Sequence, residues 1–183
     1  SDFGWSVGFT EARLATRLSP LAANAHDIGF AAEGVLPGAP GLPDATTAAP
    51  AALRIDATLE FDRPIDRNAN QPLITAITIR EARAISGAAS LTASGDLAIT
   101  ETGSPEGRVM LRATEWETVI AVIAATGLIR PEIAPTYVAM LDQLATQSAD
   151  PEVVHIPLDF RSGRMSLGPI PLGPAPRLSG YLQ

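Results

Sequence analysis

The sequence contains no cysteine and no lysine, and each absence excludes a class of site. Without cysteine there is no disulfide, no thiolate metal ligand and no cysteine nucleophile. Without lysine there is no phosphate-binding loop of the P-loop type, because that loop needs a lysine for the nucleotide phosphates. Sites of these kinds are therefore not expected in this chain.

Positive charge and long apolar runs are also scarce. The 13 basic residues are outnumbered by 20 acidic ones, and the net charge is −7 at pH 7. A protein that binds nucleic acid needs a basic face to neutralise phosphates, so no nucleic-acid partner is expected. No stretch approaches the roughly 18 apolar residues of a membrane-spanning helix. The chain opens at Ser1 without a methionine, from which we expect that a preceding segment has been removed.

Catalytic patterns are missing as well. There is neither a Gly-x-Ser-x-Gly turn nor a Gly-x-Gly-x-x-Gly run. His26 and His155 have no second ligand at a suitable spacing, and Asp56, Glu60 and Asp62 alternate as expected of a solvent-exposed strand face. We therefore predict no catalytic residue, no metal site and no cofactor, and a chain that is not an enzyme.

What the sequence does contain is alternation of apolar and polar residues, which is typical of strands with one buried face. The pattern is clearest at residues 53–61, recurs at 85–99, and returns at 109–113 and 154–160. Leu36–Pro50 is rich in proline and is predicted to be a loop. The Pro-rich closing segment 168–178 lacks the backbone donors of a central strand and is predicted to be polyproline-II or to lie at an edge.

One region has the periodicity of helices instead. Thr114 and Glu117 match a capping box, and an apolar stripe with Trp116 follows. This predicts a helical hairpin over about residues 114–147, with Trp116 buried against the sheet. The fold class is therefore mainly β with a helical hairpin (α+β), in one domain over residues 1–183, with a curved antiparallel sheet.

Eight apolar residues of the alternating strands are predicted to line one face of this sheet. Each alternates with polar neighbours, so all should project to the same side. The pattern does not decide whether that face is an open groove or a closed core. The candidate ligand-binding residues are Leu53, Ile55, Leu59, Phe61, Leu91, Leu97, Val109 and Leu111.

The second half of the chain resembles a bacterial family, domain of unknown function 2125. The likeness rests on Ala93-Ser94-Gly95-Asp96-Leu97, on the break at Gly127 to Pro131, on Ile156-Pro157-Leu158 and on the closing run Gly163 to Pro174. The resemblance implies an envelope protein with one N-terminal inner-membrane anchor and the remainder in the periplasm. It also implies an architecture similar to that of the AsmA- and TamB-like proteins, whose curved sheets form a lipid-lined groove.

Two functions remain in competition at this point. The leading hypothesis is a non-enzymatic domain of the cell envelope that holds a lipid or other hydrophobic ligand in a β-groove. The alternative is a structural or adaptor domain with a closed core, which meets an envelope protein through the closing segment or the Leu36–Pro50 loop. In both cases contact with the membrane is expected only through the removed N-terminal anchor.

Overall fold

The computed structural model describes residues 6–38, 51–65, 72–125, 132, 134–146, 152–168 and 170–178. Ten strands and two helices lie in these ranges. The elements, in chain order, are β1 (Ser6–Gly8), β2 (Glu11–Leu18), β3 (Ala25–Gly38), β4 (Ala51–Phe61), β5 (Ile74–Ser86), β6 (Ala89–Ile99), β7 (Pro105–Thr114), α1 (Trp116–Ala125), α2 (Ala134–Thr146), β8 (Val154–Arg161), β9 (Arg164–Leu167) and β10 (Ile170–Pro174).

The strands form one open sheet in which every described pair is antiparallel. From β3 to β10 each strand pairs with its neighbour in sequence, while β1 and β2 both pair with β3. The predicted fold class is confirmed: a mainly β protein with a curved antiparallel sheet and one helical hairpin. The proline-rich closing segment also lies where it was predicted, because β10 is an edge strand.

The two faces of the sheet differ in character throughout, and we call them the apolar face and the polar face. Along one cross-strand row, Leu59 lies beside Ile77, Ile77 beside Leu97, and Leu97 beside Gly107. The next row on the opposite face pairs Asp27, Thr58, Thr78 and Asp96 in the same way. Side chains opposite one another in register lie on one face, so the sequence alternation separates the two faces across the whole sheet.

The prediction of a single strand over residues 85–99 is wrong, because β5 contains a bulge and a turn divides the predicted run. Ile79 pairs with Ala57 but Ala82 pairs with Ile55, so β5 contains one extra residue here. The extra residue moves the alternation by one, and Ile85 therefore lies on the polar face opposite Ser90. The predicted run is also divided, because a turn at Gly87 (φ 59°) joins β5 to β6.

The helical hairpin packs on the apolar face over the second half of the sheet. Leu141 of α2 and Ile120 of α1 are buried in one cluster with Val154 and Ile156 of β8. Both helices lie within the predicted range of about 114–147, but the capping box is wrong. Thr114 belongs to β7, and its hydroxyl bonds the Ser90 backbone N–H at 3.1 Å instead of a helix N–H.

Two further predictions need correction. Trp116 is half-buried, and its Nε1 donates to Asp142 Oδ1 of α2 at 2.9 Å, so it closes the side of the hairpin instead of lying deep against the sheet. The loop predicted over Leu36–Pro50 is wrong for its first three residues, because β3 continues to Gly38. The remainder of that predicted loop, residues 39–50, lies outside the described residues.

No helix in the described part of the chain is long and apolar enough to cross a membrane.

Candidate functional site

All eight predicted ligand-binding residues lie on the apolar face, but in two different settings. Leu53, Ile55, Leu59 and Phe61 of β4 are half-buried, and the described contacts place no helix over them. Leu91 and Leu111 lie under the hairpin, whereas Leu97 and Val109 are buried beside it in a cluster with Phe160. The face therefore continues from an open half into a covered half.

Beneath the hairpin the apolar face encloses a cavity of about 220 Å³. Two of the predicted residues, Leu91 and Leu111, line it. The other lining residues come from both helices and from β7 to β10, and their side chains are apolar apart from the Tyr137 hydroxyl and the Trp116 indole N–H: Ala113, Trp116, Val119, Ile120, Tyr137, Leu141, Ile156, Leu158, Met165, Leu167 and Leu172. An apolar cavity of about 150 Å³ is enough to bind benzene, so this one has room for part of a hydrophobic ligand.

Apolar side chains also remain exposed along the outer strand of the open half. Leu14 and Leu18 of β2 are 72% and 73% exposed, and both lie on the apolar face, opposite Phe30 and His26. His26, which was expected at the surface, is half-buried and packs edge to face on Phe61, with ring centroids 5.9 Å apart. His155 is exposed on the polar face, as expected.

The polar face holds a cluster that the sequence analysis missed. Asp27 Oδ1 accepts from Thr58 Oγ1 at 2.8 Å, and Asp27 Oδ2 accepts from Arg17 Nε at 3.0 Å. Arg80, at the bulge of β5, donates to Thr58 and to Asp56. The signal that could have found this cluster is the polar pair Arg80-Glu81, because Glu81 stands where the alternation of Ile77 and Ile79 requires an apolar residue.

The carboxylates of this cluster are held in their charged form. The hydrogen bond from Thr58 is the main cause that lowers the pKa of Asp27 to about 2, and bonds from Ser19 and Arg17 add to it. The Arg80 guanidinium likewise lowers the pKa of Asp56. A general acid needs a raised pKa, so neither group is suited to that role.

We expect Asp27 to make the stability of the chain depend on acid pH. Its folded pKa is below its ordinary value of 3.8, so its contribution is present above that pH and is lost as the pH falls toward about 2. In urea unfolding from about pH 5 to pH 2, Asp27→Asn should flatten the fall of the free energy of unfolding. Thr58→Val, which removes only the main hydrogen bond, should give an intermediate slope. Equal slopes in all three proteins would contradict this.

No metal centre accompanies these groups in the part of the chain that the structure describes, where no three His, Asp or Glu side chains are placed to hold an ion. Asp62, the third carboxylate of the alternating set, accepts from Arg63 and from the Leu73 N–H, and its pKa is lowered. The apolar face with its cavity is therefore the candidate site.

Comparison with known proteins gives one match. A family model described as uncharacterized protein conserved in bacteria (DUF2125) matches residues 1–176, nearly the whole of the 183-residue chain. No curated protein and no solved structure matches the chain. None of these comparisons shows the likeness to AsmA- and TamB-like proteins, which stays a prediction.

Proposed function

The chain belongs to the bacterial DUF2125 family, and from the geometry of its sheet we propose that it is a non-enzymatic domain of the cell envelope that binds a lipid acyl chain or another hydrophobic ligand on its apolar face. The observation that carries the proposal is the half-open state of that face. Leu53, Ile55, Leu59 and Phe61 are half-buried, neither described helix packs on their strand, and the same face leads into the cavity under the hairpin.

The chemistry of this surface suits an acyl chain. Its side chains are mainly aliphatic, and none of the described residues that line the cavity is charged. Burial of a methylene group contributes about 0.8 kcal/mol, so several methylenes along the face would give binding without a charged anchor. The envelope location and the inner-membrane anchor belong to the same proposal, and they rest on the resemblance of this family to anchored envelope proteins.

The alternative, a structural or adaptor domain with a closed core, is favoured by a different part of the same face. Leu97, Val109 and Phe160 are buried in a cluster of their own, against which Met165 and Ala175 pack, as in an ordinary protein interior. The two functions differ in what they require of the open half. A ligand site needs Leu59 accessible, whereas an adaptor needs only that the face be stable.

A carboxylate introduced on the apolar face should abolish ligand uptake. Leu59→Asp and Leu91→Asp place an unpaired charge in the open half and in the cavity, which a bound acyl chain cannot solvate. We expect saturable binding of a fluorescent fatty acid by the wild-type chain, and at least a tenfold weaker affinity in both variants, which corresponds to about 1.4 kcal/mol. Titration of probe fluorescence measures this, with thermal unfolding to confirm that Leu59→Asp is folded.

Ile85→Asp is the control, because Ile85 is an exposed aliphatic strand residue on the polar face. It should bind the probe as the wild type does. Unfolding of Leu59→Asp, with no probe binding by the wild-type chain, would contradict the ligand site and favour the closed-core adaptor. Equal loss of binding in Ile85→Asp would show that the effect is not specific to the apolar face.

A further inference from the structure

The two edges of the sheet are built differently. At one edge, β10 contains Pro171 and Pro174, which supply no backbone N–H and so prevent the pairing of another strand along its length. At the other edge, the eight residues of β2 contain no proline, and no register shift interrupts their pairing with β3. In the described residues no strand pairs with the outer side of β2. Long, regular edge strands of this kind are templates for pairing with a further strand.

The backbone of β2 shows which residues would make that pairing. Ser19 N donates to Ala25 O, and the register continues through Arg17 opposite Asp27. Odd-numbered residues of β2 therefore bond β3, and the even-numbered residues Ala12, Leu14 and Thr16 direct their N–H and C=O groups outward. Their side chains lie on the apolar face, where Leu14 is 72% exposed.

The geometry points to a second copy of this chain as the partner, joined through antiparallel pairing of β2 with β2 about a twofold axis at Leu14. In this register Leu14 faces its own twin, and Glu11 faces Arg17 of the other copy twice. Centring the axis on Arg13 or on Ala15 would instead place arginines opposite one another, which destabilises a strand pair.

Charge and exposure at these positions fit the pairing. The side chain of Glu11 is 53% exposed and bonds Arg13 of its own strand through Oε1, which leaves Oε2 for the other copy. The side chain of Arg17 is 77% exposed. Arg17 uses Nε for Asp27, which leaves its terminal nitrogens to meet a second carboxylate. Because the β10 edge carries prolines, β2 cannot pair there in head-to-tail fashion, and the assembly closes at two copies.

The inference is independent of the proposed ligand but extends its surface. Residues that face one another across the new pair lie on the same side of the joined sheet. Leu14 and Leu18 of both copies would then continue the open apolar half from one protomer into the other. A single sheet would run through the dimer, with a hairpin on the apolar face of each copy.

Sedimentation velocity of the chain over a range of concentrations tests the dimer. We expect a mass near twice 19.1 kDa for the wild type. Leu14→Arg and Leu14→Pro should sediment as monomers, since the first introduces like charges at the axis and the second removes an outward donor. Leu73→Arg changes a leucine that is 54% exposed away from β2, and it should remain dimeric. A wild-type chain that is monomeric at every concentration would overturn the proposal.

Cysteine cross-linking tests the register, and it does not depend on the folding of the arginine and proline variants. The chain has no cysteine of its own. Leu14→Cys places two thiols on facing residues, whose Cα atoms lie about 5.5 Å apart in a hydrogen-bonded pair and can form a disulfide. In the same register the two cysteines of Thr16→Cys lie about four residues apart along the paired strands, or roughly 14 Å. Mild oxidation should therefore cross-link Leu14→Cys only, and cross-linking of Thr16→Cys at an equal rate would overturn this register.

Discussion

Gly95→Ala is expected to destabilise the chain by about 2–6 kcal/mol, because β6 and β7 lie too close at this glycine to admit a side chain. Gly95 has a backbone φ of 151°, which residues other than glycine rarely adopt. An added Cβ would overlap the Arg108 carbonyl oxygen and lie 2.9 Å from Val109 Cα. Backbone strain and overpacking each cost about 1–3 kcal/mol, and neither backbone atom can move away without breaking the strand pair.

Gly29→Ala is the control for this prediction. Gly29 is also a strand residue, but an added Cβ would meet no atom within 4 Å. Its free energy of unfolding should stay within about 0.5 kcal/mol of the wild type or rise slightly, because alanine restricts the unfolded chain. Urea unfolding of the two variants measures the difference. Equal midpoints would show that β6 and β7 are not as close at Gly95 as the structure places them.

Side-chain alternation was sufficient to predict most strands and the face on which each residue lies. It failed where the backbone departs from regular pairing. Alternation extrapolated through β5 assigns Ile85 to the apolar face, but the bulge near Arg80 reverses the assignment for every later residue of that strand. The successive polar residues Arg80 and Glu81 mark the shift in the sequence, but their partners do not show there, because Arg80 is held by Asp56 and Thr58 of another strand.

The sequence predicted which residues share the face of the candidate site, but not how much of that face the hairpin covers. The eight apolar residues lie on one face because pairing in register preserves their alternation. Which of them the hairpin covers depends on where the chain crosses the sheet after Thr114, and no periodicity in the sequence contains that information. For the same reason the sequence left the open groove and the closed core as alternatives, whereas the structure has an open half beside a covered one.

Leu141→Ala is expected to cost about 2–5 kcal/mol, as for other large-to-small changes in a protein core. Leu141 is fully buried and packs in one cluster with Ile120, Tyr137 and Val154, so it links the two helices to β8. Its truncation removes contacts on every side and enlarges the existing cavity of about 220 Å³. The loss should appear as a lower midpoint in urea unfolding, with Leu73→Ala, at a position that is 54% exposed, close to the wild type.

Leu141→Ala also tests whether the hairpin covers a ligand cavity or belongs to a closed core. If the cavity holds part of the ligand, Leu141→Ala leaves more room, and a saturating hydrophobic probe should restore stability. A probe at about 100 times its dissociation constant contributes about 2.7 kcal/mol to the folded state, enough to offset much of the expected loss. Unfolding midpoints measured with and without the probe test this. A large loss of stability that the probe does not reduce would mean that the hairpin closes a core, and ligand binding would then be confined to the open half around Leu59.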